Sequence, residues 1–123
     1  MTKGFDRIFV PLSREPYAWF ESGEKVWELR KYGRQFTEKH IYPGRRVELR
    51  RGYSDASRTL WGTIERVEKA VGIEDFFDKV PYSRVIPVAK SRADAAMMAK
   101  EILGIGEDPQ VPLVGFMVSV DKW

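Results

Sequence analysis

Hydrophobic and polar positions along this chain alternate with two different periods, and the switches between them mark its elements. Phe5 to Leu12 reads as a short strand, with Phe9 and Val10 preceding Pro11. Ser13 is placed to cap a helix, and Pro16 fits a first helical turn, where its missing N–H costs little. The helix carries Tyr17, Trp19 and Phe20 and stops at Gly23. From Lys25 to Lys31 the period drops to two: Trp27 and Leu29 fall on one face, and Val26, Glu28 and Arg30 on the other. Pro43-Gly44 predicts a turn into a strand from Arg45 to Arg51, with Val47 and Leu49 inward and Arg46, Glu48 and Arg50 opposite. Gly52 to Ser57 is rich in turn residues. Thr59 to Val71 reads as a long strand in which Gly62 marks a bulge or a close backbone approach. Trp61 follows Leu60 there and is expected in the core.

The second half carries more helix. Glu74 to Val80 predicts a short helix closed by Pro81. Ser91-Arg92-Ala93-Asp94 has the form of a capping box with Asp in place of the usual Glu, and the helix after it runs to Leu103 and stops at Gly104. Ala95, Met98 and Ile102 form one stripe, which is expected to face the core. In a final strand from Val111 to Val120, Val114, Phe116, Val118 and Val120 alternate with Leu113, Gly115, Met117 and Ser119. No repeat, low-complexity run or linker divides the chain. The expectation is a single domain over residues 1–123, of α+β class and mainly β: a small β-barrel with short helices at its rim.

Composition narrows the chemistry. A chain of 123 residues is long enough to bury a substantial core without staples. It has no cysteine and one histidine, His40. Disulfide scaffolds, thiol nucleophiles, iron–sulfur clusters and zinc sites built on Cys or several His are excluded. A Ser-His-Asp triad would have to use His40, which is expected in a surface loop. Neither a metal nor a cofactor is expected. Ile8-Phe9-Val10 is too short a core for a signal peptide, and the apolar stretch from Val111 to Val120 is broken by Pro112, Gly115 and Ser119. A cytoplasmic protein without membrane contact is the expectation.

The formal net charge of +3 conceals an uneven distribution. Residues 1–60 carry 13 basic and 8 acidic side chains, whereas residues 61–123 carry 8 and 10. From Lys25 to Arg58 there are ten basic residues against four acidic, a local excess of six. Arginine predominates, and its planar fork suits phosphate. Trp27, Tyr32, Phe36, Tyr42 and Tyr53 are interleaved with these cations. Such a pattern fits a nucleic-acid surface, with phosphate attraction and base stacking, and equally fits a solvated basic face over a core of aromatics.

The most informative stretch is Gly23-Glu24-Lys25-Val26-Trp27-Glu28-Leu29-Arg30. A lysine just after a glycine-ended helix can be aimed into a cleft by the backbone reversal. There it can contact phosphate or a carbonyl oxygen, and if desolvated it can act as a base or nucleophile. Glu28 and Arg30 lie two apart on one strand face, so they can pair with each other or jointly frame a polar ligand. The stretch resembles Gly-x-Lys-x-x-Glu-x-Arg, the signature of the ASCH family (activating signal cointegrator homology). Tyr42-Pro43-Gly44-Arg45-Arg46-Val47 and Gly62-Thr63-Ile64-Glu65-Arg66-Val67 look like that family's later turn and strand.

The resemblance implies a PUA-like β-barrel and RNA or a nucleotide-like ligand in a cleft lined by the motif. On that basis Lys25, Trp27, Glu28, Arg30, Arg46, Arg50 and Arg51 are the expected ligand-binding residues. Lys25 and Glu28 are the expected catalytic pair if the protein is an enzyme. Some small members of the family are amidohydrolases of acetylated cytidine nucleosides, and others are ribonucleases. In the amidohydrolase branch a hydroxyl residue stands three positions after the motif lysine, where this chain has Glu28. A substitute would have to come from Thr59, Thr63 or Ser119, with a carboxylate from Glu28, Glu65 or Glu74. A third alternative is a non-enzymatic module whose basic face meets an acidic protein or DNA.

Overall fold

A computed structural model describes residues 7–52, 58–107 and 110–121. Five strands form one sheet: β1 (Arg7–Leu12), β2 (Trp27–Lys31), β3 (Arg46–Arg51), β4 (Thr59–Val71) and β5 (Pro112–Val120), in the spatial order β1-β3-β4-β5-β2. β1 and β3 are parallel and the other pairs antiparallel. The helices are α1 (Arg14–Ser22), α2 (Ile73–Lys79) and α3 (Arg92–Leu103), with a single 3-10 turn at Tyr82–Arg84. The architecture is mixed α+β, a curled half-barrel with three helices. Phe5, Asp6, Tyr53 and the rest of the expected loop to Ser57 lie outside the described residues.

The half-barrel has a core on each side of its sheet. The concave side holds Ile8, Val10, Val47, Leu49, Ile64, Val114, Phe116 and Val118, with Tyr17 and Phe20 of α1 packed onto them. The opposite side of β2, β5 and the far end of β4 is covered by α2 and α3, which bury Trp27, Leu29, Ala70, Leu113, Phe76 and Ala95. This explains why Leu113, Val114, Gly115 and Phe116 are all buried: consecutive side chains point to opposite faces, and both faces are covered.

Both strand glycines noted in the sequence mark close approaches. A Cβ on Gly62 would lie 2.7 Å from the Ser119 carbonyl oxygen. The bulge itself falls at Glu65, where the β4–β5 register slips between Ile64 and Arg66. That extra residue turns both Ile64 and Val67 toward the concave core and sends Arg66 over the Trp27 ring on the other side. A Cβ on Gly115 would lie 2.3 Å from the Phe76 ring, so the missing side chain is what seats α2 on the sheet.

Several local expectations are corrected. Ser13 occupies the N-cap position of α1 but its side chain makes no capping hydrogen bond. Ser91 does cap α3, accepting from the Asp94 N–H at 3.1 Å, and Asp94 in turn accepts from the Lys90 N–H rather than from that of Ser91. The buried face of α3 is Ala95, Ala96 and Ala99, because small side chains let it lie close to α2, and Ile102 is 65% exposed. Trp61 is not in the core. It stands opposite Glu48 on the outer face of β3 and β4, with the Arg46 guanidinium over its ring.

Candidate functional site

The sheet is not closed, and the gap between its outer strands β1 and β2 opens into a cleft of about 1090 Å³. Volumes near 1,000 Å³ lie at the upper end of small-ligand sites. One wall is apolar, with Leu12, Pro16, Trp19, Ile86, Ile102 and Leu103. The other carries Lys31, Tyr32, Arg34, Gln35 and Phe36, and Lys25, Glu28 and Arg30 also line the cleft.

The trio is positioned by ordinary strand and cap geometry. Gly23 ends α1 in the left-handed region, with φ of 87°, and its N–H returns to the Phe20 carbonyl. The chain then doubles back: the Lys25 N–H donates to the Trp19 carbonyl and the Val26 N–H to the Arg84 carbonyl. This aims Lys25 inward, with its Nζ over the Phe20 ring. Glu28 and Arg30 follow on the face of β2 opposite to Trp27 and Leu29, set against Phe116 and Val114 of β5.

The side chains form one connected array. Lys25 Nζ donates to the Val85 carbonyl at 2.7 Å and lies 3.3 Å from Glu28 Oε1. Arg30 Nε donates to Glu28 Oε2 at 2.5 Å, and its Nη2 donates to the Pro11 carbonyl at 2.9 Å. The Arg30 guanidinium also sits over the Phe36 ring, which stacks on Phe116. Lys25 and Glu28 are buried, at 5% and 7% exposure, so their pairing offsets a desolvation that neither ion could bear alone.

The protonation balance follows from the same contacts. Burial lowers the Lys25 pKa; Glu28 opposes that shift, and Arg30 reinforces it. Burial on its own would raise Glu28. Arg30 and Lys25 together overcome that penalty and hold its carboxyl below the ordinary range. The array is therefore a carboxylate favoured in its ionised form between two cationic groups, one of which gives up its proton more readily than a free lysine.

The remaining expected site residues lie elsewhere. Trp27 is 3% exposed and edge-on to Phe76 in the helix-covered core, so neither of its faces is open to the cleft. Arg46 binds Asp121 and Thr63 on the outer face. Arg50 pairs with Glu48 and covers the Phe9 ring. Arg51 lines a smaller concavity beside the cleft with Leu12, Ser13, Arg14 and Gly52. Neither Thr59, Thr63 nor Ser119 lines the cleft, and Glu65 and Glu74 are exposed. Ser13 and Tyr32 are the hydroxyl residues on its wall. Among the described residues no group of three His, Asp or Glu is arranged to hold a metal, and no helix is long and apolar enough to cross a membrane.

Sequence reasoning missed the apolar wall and the carbonyl partners. Trp19 was visible as a helix aromatic, but nothing local points it at a cleft. Nor does spacing reveal that Val85 and Pro11 would supply acceptors to Lys25 and Arg30. Glu48, a second buried carboxylate held between Arg7 and Arg50, also passed as one charge in a mixed run.

The fold matches that of solved ASCH structures. The hypothetical protein PH0355 aligns with a TM-score of 0.75 at 15% identity, over 94% of this chain and 99% of its own. Protein PF0455 from Pyrococcus furiosus aligns with a TM-score of 0.66 at 14% identity, over 95% and 98%. ASCH from Zymomonas mobilis aligns with a TM-score of 0.60 at 13% identity, over 93% of this chain and 68% of that one. No family model matches the sequence, and no curated protein does.

Proposed function

We propose that this protein binds RNA or a nucleotide-like ligand, modified nucleosides included, in the cleft framed by Lys25, Glu28 and Arg30. The observation that carries the reading is the buried array at the cleft wall. Two cations share one carboxylate there, which leaves a positive excess beside an aromatic ring, Phe36. A base can stack on the Arg30 guanidinium plane that covers Phe36, its edge can meet the carboxylate, and its phosphate can reach Lys31 and Arg34 at the rim. The ASCH fold supports a nucleic-acid ligand.

Fluorescence anisotropy of labelled single-stranded RNA at rising salt tests this. Binding is expected at low salt, weakening as salt rises, and weaker in Lys31→Ala with Arg34→Ala. These two side chains are exposed or lie at the rim, so their loss leaves the core intact. No binding at low salt, or equal binding by the double variant, overturns the proposal.

Lys25 favours a second reading, a hydrolase of the same fold. Its depressed pKa enlarges the neutral amine fraction, which is the form that acts as base or nucleophile. Glu28, at 3.3 Å, is placed to exchange a proton with it. Incubation with acetylated cytidine and with RNA, followed by chromatography, decides the matter. Turnover lost in Lys25→Met supports this reading, and no turnover above that variant removes it.

A further inference from the structure

The cleft does not end at the trio. A second concavity, of about 430 Å³, shares Leu12 and Ser13 with it and continues over Arg14, Arg51 and Gly52. The two hollows are thus separated only by the Leu12–Ser13 ridge. Arg51 is pinned beside that ridge: it stands in register with Leu12 across β1 and β3, and the Gly52 N–H donates to the Leu12 carbonyl at 2.9 Å.

The charges of this second hollow have no carboxylate facing them among the described residues. Several arginines elsewhere do face carboxylates: Arg7 and Arg50 share Glu48, Arg30 holds Glu28, Arg46 holds Asp121, and Arg92 holds Asp78. Arg14 and Arg51 have no ion-pair partner among the described residues. Arg34, at the rim of the main cleft, has none either, and it is held there by a left-handed backbone, with φ of 53°. Guanidinium groups with no ion-pair partner among the described residues therefore lie on both sides of the buried trio. A mononucleotide carries its phosphate at one place and can satisfy only one of these sides.

We infer that the ligand is a single-stranded nucleic acid of several nucleotides, whose phosphodiester chain leaves the Glu28 cleft over Ser13 and is held beyond it by Arg14 and Arg51. The inference rests on the nucleotide-binding reading of the cleft and names its substrate class. A base occupies the cleft against the Arg30 guanidinium and Glu28. The chain on one side meets Lys31 and Arg34, and on the other it crosses the ridge into the second hollow. The register with Leu12 and the Gly52 hydrogen bond position the Arg51 backbone, which lowers the ordering cost of that contact.

The test compares uridine monophosphate with a uridine dinucleotide and octanucleotide, and with the 2′-deoxyuridine octanucleotide, by calorimetry and anisotropy. The protein is used whole, as wild type and as Arg14→Ala with Arg51→Ala. Affinity is expected to rise from mononucleotide to octanucleotide. The double variant should lose on the order of tenfold for the octanucleotide, flatten its salt slope by about 1.4 and leave the mononucleotide unchanged. Deoxyuridine and uridine chains binding alike would assign the contact to the phosphodiester chain; a uridine preference would add a 2′-hydroxyl contact to it. If the mononucleotide binds but length adds nothing, or the variant retains octanucleotide affinity and slope, the extended path is wrong and the cleft reading stands. If no nucleotide of any length binds, both fall.

Discussion

Arg30 and Pro11 join the two outer strands of the sheet across the gap that the backbone leaves open. The Arg30 Nη2 of β2 donates to the Pro11 carbonyl of β1 at 2.9 Å, while its Nε holds Glu28. Gln35 makes a second such link, from its Nε2 to the Phe9 carbonyl at 3.1 Å. The edge carbonyls of β1 are thus met by side chains where a closed barrel would supply a strand. The cost of an unsatisfied edge is avoided while the cleft stays open.

Removing the shared carboxylate should be far more damaging than its single charge suggests. Glu28→Gln leaves Lys25 and Arg30 buried together with no anion between them. Breaking a buried pair in this way costs about 3–5 kcal/mol. Urea unfolding is expected to show a loss in that range. A loss below about 1 kcal/mol would mean the array is solvated and contributes little to the fold.

A surface pair provides the contrast. Arg46 and Asp121 meet at 2.6 Å, but the Arg46 side chain is 42% exposed. Solvent screens it, so Arg46→Ala should cost no more than about 1 kcal/mol, and less at high salt. The same urea titration checks it, run at low and high salt.

The pH dependence has a definite sign at each end. Burial favours protonation of Glu28, but Arg30 and Lys25 outweigh it and place its folded-state pKa below the ordinary 4.5. Its stabilising contribution is complete above 4.5 and is lost as pH falls through the depressed folded value. Burial of Lys25 acts at the alkaline end. Its folded pKa lies below the ordinary 10.5, so the unfolded chain binds more protons between the two values and stability gains as pH rises through that window. Denaturation curves of Glu28→Gln should show a smaller acid loss than wild type, Glu38, Asp75 and Asp121 supplying the remainder, and those of Lys25→Met should show a smaller alkaline gain.

Gly115→Ala tests how α2 is seated. The new Cβ would meet the Phe76 ring at 2.3 Å, too close to be absorbed without a shift. Overpacking of this kind costs about 1–3 kcal/mol. Phe76→Leu has a cavity cost of its own, so the double variant should lose less than the sum of the two single losses, and additive losses would contradict the contact. The measurement is thermal and urea unfolding of both single variants and the double variant.

These residues also show what was legible before the structure. Trp27 against Glu28 is the clearest case: strict alternation on β2 sends one to the helix-covered core and the other into the cleft. Alternation fixes faces, so the strands and the opposed sides of the motif could be read. It does not say which face a helix will cover, and Trp27, inside a basic motif, therefore read as a stacking candidate. Ile102 and Trp61 failed for a related reason. Their burial depends on how α3 and β4 are rotated against distant partners, through Ala95, Ala96 and Ala99 in one case and Glu48 in the other. The charge excess from Lys25 to Arg58 was likewise visible as a sum, but folding pairs Arg46 with Asp121 and makes Arg50 share Glu48 with Arg7. Only the tertiary structure separates them from Arg14, Arg34 and Arg51.

The central claim is that the ligand enters the cleft between β1 and β2 and meets the Lys25–Glu28–Arg30 array. Amide chemical shifts during titration with a uridine octanucleotide test it most directly. The largest changes are predicted at Trp19, Glu28, Arg30, Arg34, Phe36 and Val85, with a second set at Ser13, Arg14 and Arg51. Changes confined to the outer face, around Arg46, Glu48 and Trp61, would contradict the account.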